Sequence, residues 1–78
     1  MRGYNVLKLV VLSHLAGRGW QRATEIAEAV GYPRRALYSY LRKQQRHGLL
    51  IYREMPYAEF ALSERGRDRL AYLREHLD

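Results

Sequence analysis

The chain has no cysteine, two prolines, and a single tryptophan and phenylalanine. Without thiols there is no disulfide framework, no thiolate metal site and no cysteine nucleophile, a composition at home in a reducing compartment, so a cytoplasmic location is expected. Long apolar runs are missing too. Near the N-terminus Lys8 and His14 leave only residues 9–12 uninterrupted. That is shorter than the ~7–15 apolar residues of an export signal and far short of the ~20 of a membrane span. The segment is therefore read as a helix of the mature fold, with no membrane partner. The three histidines, at 14, 47 and 76, have no partner at helical spacing, so no metal site and no cofactor are expected. No nucleophile–base pair, phosphate-cradling glycine loop or carboxylate dyad is present, and Ser13 and His14, adjacent on a helix, point in different directions. The sequence offers nothing for an enzyme to work with.

Acid is the most informative shortage. Between residues 31 and 53 there is no Asp or Glu, while Arg34, Arg35, Arg42, Lys43, Arg46 and Arg53 fall in that window. The whole net charge of +6 lies there; elsewhere acids and bases balance. A field of one sign confined to one segment of a neutral body points to a polyanionic partner. An arginine-rich genome would raise arginine everywhere, but it would not strip acids from one stretch.

What is present reads as one domain over residues 1–78, since a chain of 78 residues lies near the lower end of the range for a single domain. A chain this short buries only ~60% of its unfolded surface, so pairing with a second copy would help it. A first helix is predicted over residues 4–16, with Val6, Leu7, Val10, Val11 and Leu15 on its core face and Leu9 and Leu12 left outside. A second helix spans residues 23–30 and stops at Gly31. A third runs over residues 33–47, with Pro33 in its first turn and Gly48 at its end. Residues 50–54 and 59–62 read as short strands around Met55-Pro56-Tyr57-Ala58, a hairpin. Ser63 suits the N-cap of a last helix running to Leu77. The fold class is mainly α with a small β-hairpin.

At 100° per residue the third helix divides into two faces. Ala36, Leu37, Tyr40, Leu41 and Gln44 lie on one side; Arg34, Arg35, Tyr38, Ser39, Arg42, Gln45 and Arg46 lie on the other. Such a helix fits the major groove of duplex DNA, where guanidinium forks meet phosphates and guanine edges. Arg34, Arg35, Tyr38 and Ser39, in its first half, are the candidates for base contacts; Arg42 and Arg46 are candidates for phosphate contacts. An ordinary solvated face would mix both signs of charge.

The run Thr24-Glu25-Ile26-Ala27-Glu28-Ala29-Val30-Gly31-Tyr32-Pro33, followed by Leu37, Leu41 and Gly48-Leu49-Leu50, resembles the helix-turn-helix and first wing strand of the MarR-like, ArsR-like and PadR-like winged-helix regulators. Leu62-Ser63-Glu64-Arg65-Gly66-Arg67-Asp68-Arg69-Leu70 is similar to the junction between wing and last helix in the same group. The resemblance implies a winged helix-turn-helix fold and sequence-specific binding of double-stranded DNA, usually by a two-fold dimer that regulates a promoter. Three positions depart from the pattern. Arg22 stands where relatives carry a capping Ser or Thr, although its charge could touch a phosphate; Pro33 replaces a frequent capping Ser; and the wing tip has no basic residue. Arg53, near the wing's base, is the one wing contact expected.

Pairing of two copies through the first and last helices is expected to use Leu9, Leu12, Leu73 and Leu77. It would set two recognition helices ~34 Å apart on a palindromic operator. Two other readings compete: a protein-interaction module of a transcription or replication assembly, favoured by the uncharged wing tip, and an RNA-binding module. Tyr32, Tyr38 and Tyr40 do not form the stacking platform usual in RNA readers.

Overall fold

The computed structural model describes the backbone of residues 3–76 and the side chains of residues 6–76. Four helices, α1 (Gly3–Leu15), α2 (Ala23–Val30), α3 (Arg34–Arg46) and α4 (Glu64–His76), surround a small sheet of β1 (Gln21–Arg22), β2 (Leu50–Arg53) and β3 (Glu59–Leu62). The sheet is antiparallel with order β1-β3-β2. β1 is absent from the sequence reading. Two residues carry no alternation of their own, and this strand exists only because Gln21 and Arg22 pair with Phe60 and Glu59.

α2 ends where Gly31 takes a left-handed conformation (φ 70°), which lets the N–H groups of Gly31 and Tyr32 both reach the carbonyl of Ala27. Three residues later α3 begins, with Pro33 as its N-cap rather than its first helical residue; the Pro33 carbonyl accepts from Leu37 N–H at 2.9 Å. Leu37, Leu41 and Gln44 form the buried stripe of α3, while Ala36, assigned to that side from sequence, is exposed. At the head of α4, Ser63 Oγ accepts the Gly66 N–H at 2.9 Å and donates to the Gly48 carbonyl, which ties the cap to the end of α3. A Cβ at Gly66 would collide with the backbone carbonyl of Leu49, so only glycine lets α4 lie this close to the entry of β2.

The core joins Val11, Leu12 and Leu15 of α1, Ile26, Leu37 and Leu41 of the α2–α3 pair, Leu50, Phe60 and Leu62 of the sheet, and Leu70 and Leu73 of α4. This overturns the expected orientation of α1. Leu12 is fully buried and Leu9 packs half-buried against the core, whereas Val6 and Val10 are each 40% exposed. The buried stripe runs through Lys8, Val11, Leu12 and Leu15, so the helix is turned by roughly one residue's angle (100°) from the face expected to run through Val6, Leu7, Val10, Val11 and Leu15. Leu73 also belongs to the monomer core, and Leu77 lies outside the described residues. Of the leucines expected at a dimer interface, Leu12 and Leu73 are thus spent inside one chain and Leu9 is partly so.

Among the described residues no helix is long and apolar enough to cross a membrane.

Candidate nucleic-acid interface

α3 is anchored by Leu37 and Leu41, both fully buried, so its opposite side is fixed in space before any partner arrives. That side carries Arg34, Arg35, Tyr38, Ser39, Arg42 and Arg46, six of the eight contact residues predicted from sequence, on a helix about 20 Å long. Arg34, Arg35, Ser39 and Arg46 are exposed and form no ion pair or side-chain hydrogen bond among the described residues. Arg34 also borders a cleft shared with Glu25 and Glu28 of α2, so it works in a less positive field than Arg35.

Arg42 is engaged. Its guanidinium stacks 4.2 Å from the Tyr52 ring and its Nη1 donates to Tyr38 Oη at 3.0 Å. Tyr38 Oη lies 3.4 Å from Tyr52 Oη, and Tyr52 Oη donates to Glu54 Oε2 at 3.0 Å. The ring of Phe60 stands edge-on to Tyr38 (centroids 6.0 Å apart) and tilted against Tyr52 (5.0 Å), so the hairpin is braced on α3 by three aromatic rings. Hydrogen bonding with Tyr52 and Arg42 lowers the Tyr38 hydroxyl below its ordinary pKa; hydrogen bonding with Tyr38, then desolvation and Glu54, pushes Tyr52 up to about 12. The Tyr38 hydrogen bond also raises Arg42 above its ordinary value.

The remaining two predicted contacts are placed away from α3. Side chains alternate along a strand, so Tyr52 faces α3 and Arg53 the other side of the sheet. There Arg53 pairs with Glu59 at 2.7 Å and lies 4.3 Å from the Trp20 ring. Arg22 stacks 3.7 Å above the Tyr57 ring beside the hairpin turn. Its backbone N–H donates to Glu25 Oε1 at 2.8 Å, one half of a capping box that a guanidinium, having no acceptor, cannot complete. Sequence reasoning missed Tyr52 and Glu54 as members of this surface. The alternation that puts Leu50 inside also puts Tyr52 there, which was the available signal; nothing local indicated Glu54.

Among the described residues no group of three or more His, Asp or Glu side chains could hold a metal ion. Neither a family model nor a curated protein matches the chain.

Proposed function

We propose that the protein is a winged helix-turn-helix regulator of transcription that binds double-stranded DNA, with α3 as recognition helix in the major groove and the β2–β3 hairpin as wing. The observation that carries this reading is the exposed side of α3: a row of guanidinium groups fixed to one buried-edge helix, with no carboxylate on the helix itself and, for Arg34, Arg35 and Arg46, no internal ion partner among the described residues. A helix that holds cations ready in this way suits a groove flanked by phosphates. Arg35, Arg34, Tyr38 and Ser39 sit in its first half, from which side chains reach base edges; Arg46, at the far end, meets the backbone. The three-residue turn between α2 and α3 and the antiparallel hairpin that follows support the same architecture. No reaction and no cofactor enter into this reading.

The test is a salt titration of duplex binding by fluorescence anisotropy. Arg35→Ala should cost ~1–3 kcal/mol on a selected site and relax the sequence requirement, while Arg46→Ala should weaken all duplexes alike and lower the salt slope by about one. Unchanged affinity in both variants would mean that α3 is not the binding face. The hairpin tip favours a second reading, docking to another protein: Met55 is 81% exposed and Tyr57 52%, and the turn itself carries no basic residue. Absence of affinity for any duplex at low salt would favour that reading, and preference for structured RNA in a competition would favour RNA.

A further inference from the structure

The contacts between α3 and the hairpin form a chain whose direction is set by the charges at its ends. A guanidinium has only donors, so Arg42 gives a proton to Tyr38 Oη. An ionised carboxylate has only acceptors, so Glu54 takes the proton of Tyr52. A phenol has one proton, and that of Tyr52 is spent on Glu54. The contact between the two hydroxyls, at 3.4 Å, can then be made only by the proton of Tyr38 pointing inward to Tyr52 Oη. What remains of the Tyr38 hydroxyl toward solvent is a lone pair.

We infer that Tyr38 reads one base of the duplex as a hydrogen-bond acceptor, selecting adenine or cytosine by its exocyclic amino group and rejecting guanine and thymine. The inference rests on the proposed placement of α3 in the major groove. There the amino groups of adenine (N6) and cytosine (N4) occupy the position that guanine (O6) and thymine (O4) fill with an acceptor. Tyr38 is in the first half of α3 and 37% exposed, with its ring held edge-on by Phe60. Glu54 touches no base in this arrangement; it is a positioning residue that sets the polarity of the hydroxyl two links away.

Two substitutions release the polarity without removing Tyr38. In Glu54→Gln the amide can donate to Tyr52 as well as accept from it, so Tyr52 can turn its proton to Tyr38 and the Tyr38 proton can turn outward. In Tyr52→Phe the inward acceptor is gone, and the hydroxyl is free to present either its proton or a lone pair. Selection from a random duplex library, run in parallel on the wild-type chain, both variants and Tyr38→Phe, reads the outcome. The wild-type chain should require an amino base at one position of the site. Glu54→Gln and Tyr52→Phe should admit guanine and thymine there as well, eroding the wild-type discrimination by roughly threefold to tenfold, the worth of one hydrogen bond; Tyr38→Phe should leave the position without preference. A lost contact of merely structural value would lower affinity without admitting keto bases at that position. A wild-type chain that selects no sequence defeats the DNA reading itself. A wild-type chain that selects a site without an amino base, or a variant that keeps the wild-type preference, defeats this inference alone.

Discussion

Gln44 occupies the third position of the buried stripe of α3, after Leu37 and Leu41, and is itself fully buried. Neither its side-chain oxygen nor its nitrogen has a hydrogen-bond partner. A buried polar group left in this state costs ~1–3 kcal/mol. Methionine has nearly the same length and flexibility and no hydrogen-bonding requirement of that kind. Gln44→Met should therefore stabilise the domain by about 1–3 kcal/mol, and each kcal/mol raises the melting temperature by roughly 4–8 °C in a chain of this size. Thermal unfolding followed by circular dichroism measures this directly. A lower melting temperature would mean that the amide finds partners the static contacts do not show. Because Gln44 is on the buried side, operator affinity should follow the fraction folded and nothing else.

The bond between the hairpin and α3 has its own measurable signature. Tyr52 is an acid whose pKa is raised to about 12 in the folded chain, from 10.0. A raised acid favours the folded state below the unfolded value and loses that contribution as pH climbs through the folded one. The contribution of Tyr52 itself should therefore be present below pH 10 and be lost between 10 and 12, while Tyr38, lowered by the same contact, contributes in the opposite sense. In a spectrophotometric titration of the phenolates, one of the seven tyrosines should ionise near pH 12, and Tyr52→Phe should abolish that step. If all the tyrosines ionise together at the ordinary pH, the Arg42-to-Glu54 chain does not persist in solution. Elements also differ in how visible they are in sequence. α2 and α3 were legible because each has helical periodicity bracketed by Gly31, Pro33 and Gly48, and the α3 surface was legible because acids are absent from it. β1 was not, since its pairing partners lie some forty residues away. The face of α1 was misread because Val6, Leu7, Leu9, Val10, Val11, Leu12 and Leu15 nearly ring the helix, and the side that is buried includes Lys8, only 7% exposed. Tyr52 could have been placed by its alternation with Leu50, whereas Glu54 joined the site through a tertiary contact that no spacing along the chain encodes.

The whole molecule measures 37 × 25 × 21 Å, and its α3, about 20 Å long, covers less than one ~34 Å turn of duplex. Recognition of a longer site requires a second copy, and two of the leucines expected to join the copies are unavailable for it. Leu12 and Leu73 are buried within the monomer, which leaves Val6 and Val10, one turn apart, as the exposed large apolar positions among the described side chains of α1. A standard interface removes ~800 Å² from each partner, a substantial share of a chain that exposes 5168 Å² in all. It would have to spread from those valines onto neighbouring polar surface, so a charge at its centre should be decisive. Val10→Glu should leave the fold intact, because the side chain is already in solvent, and should convert a dimer at tens of micromolar into a 9.2 kDa monomer in sedimentation equilibrium. On a palindromic duplex the same variant should bind each half-site separately, with a shallower isotherm, while Arg35→Ala should lose affinity and keep the dimer. A wild-type chain that sediments at 9.2 kDa alone and binds DNA in a one-to-one complex would remove two-fold pairing and leave α3 as the sole reader.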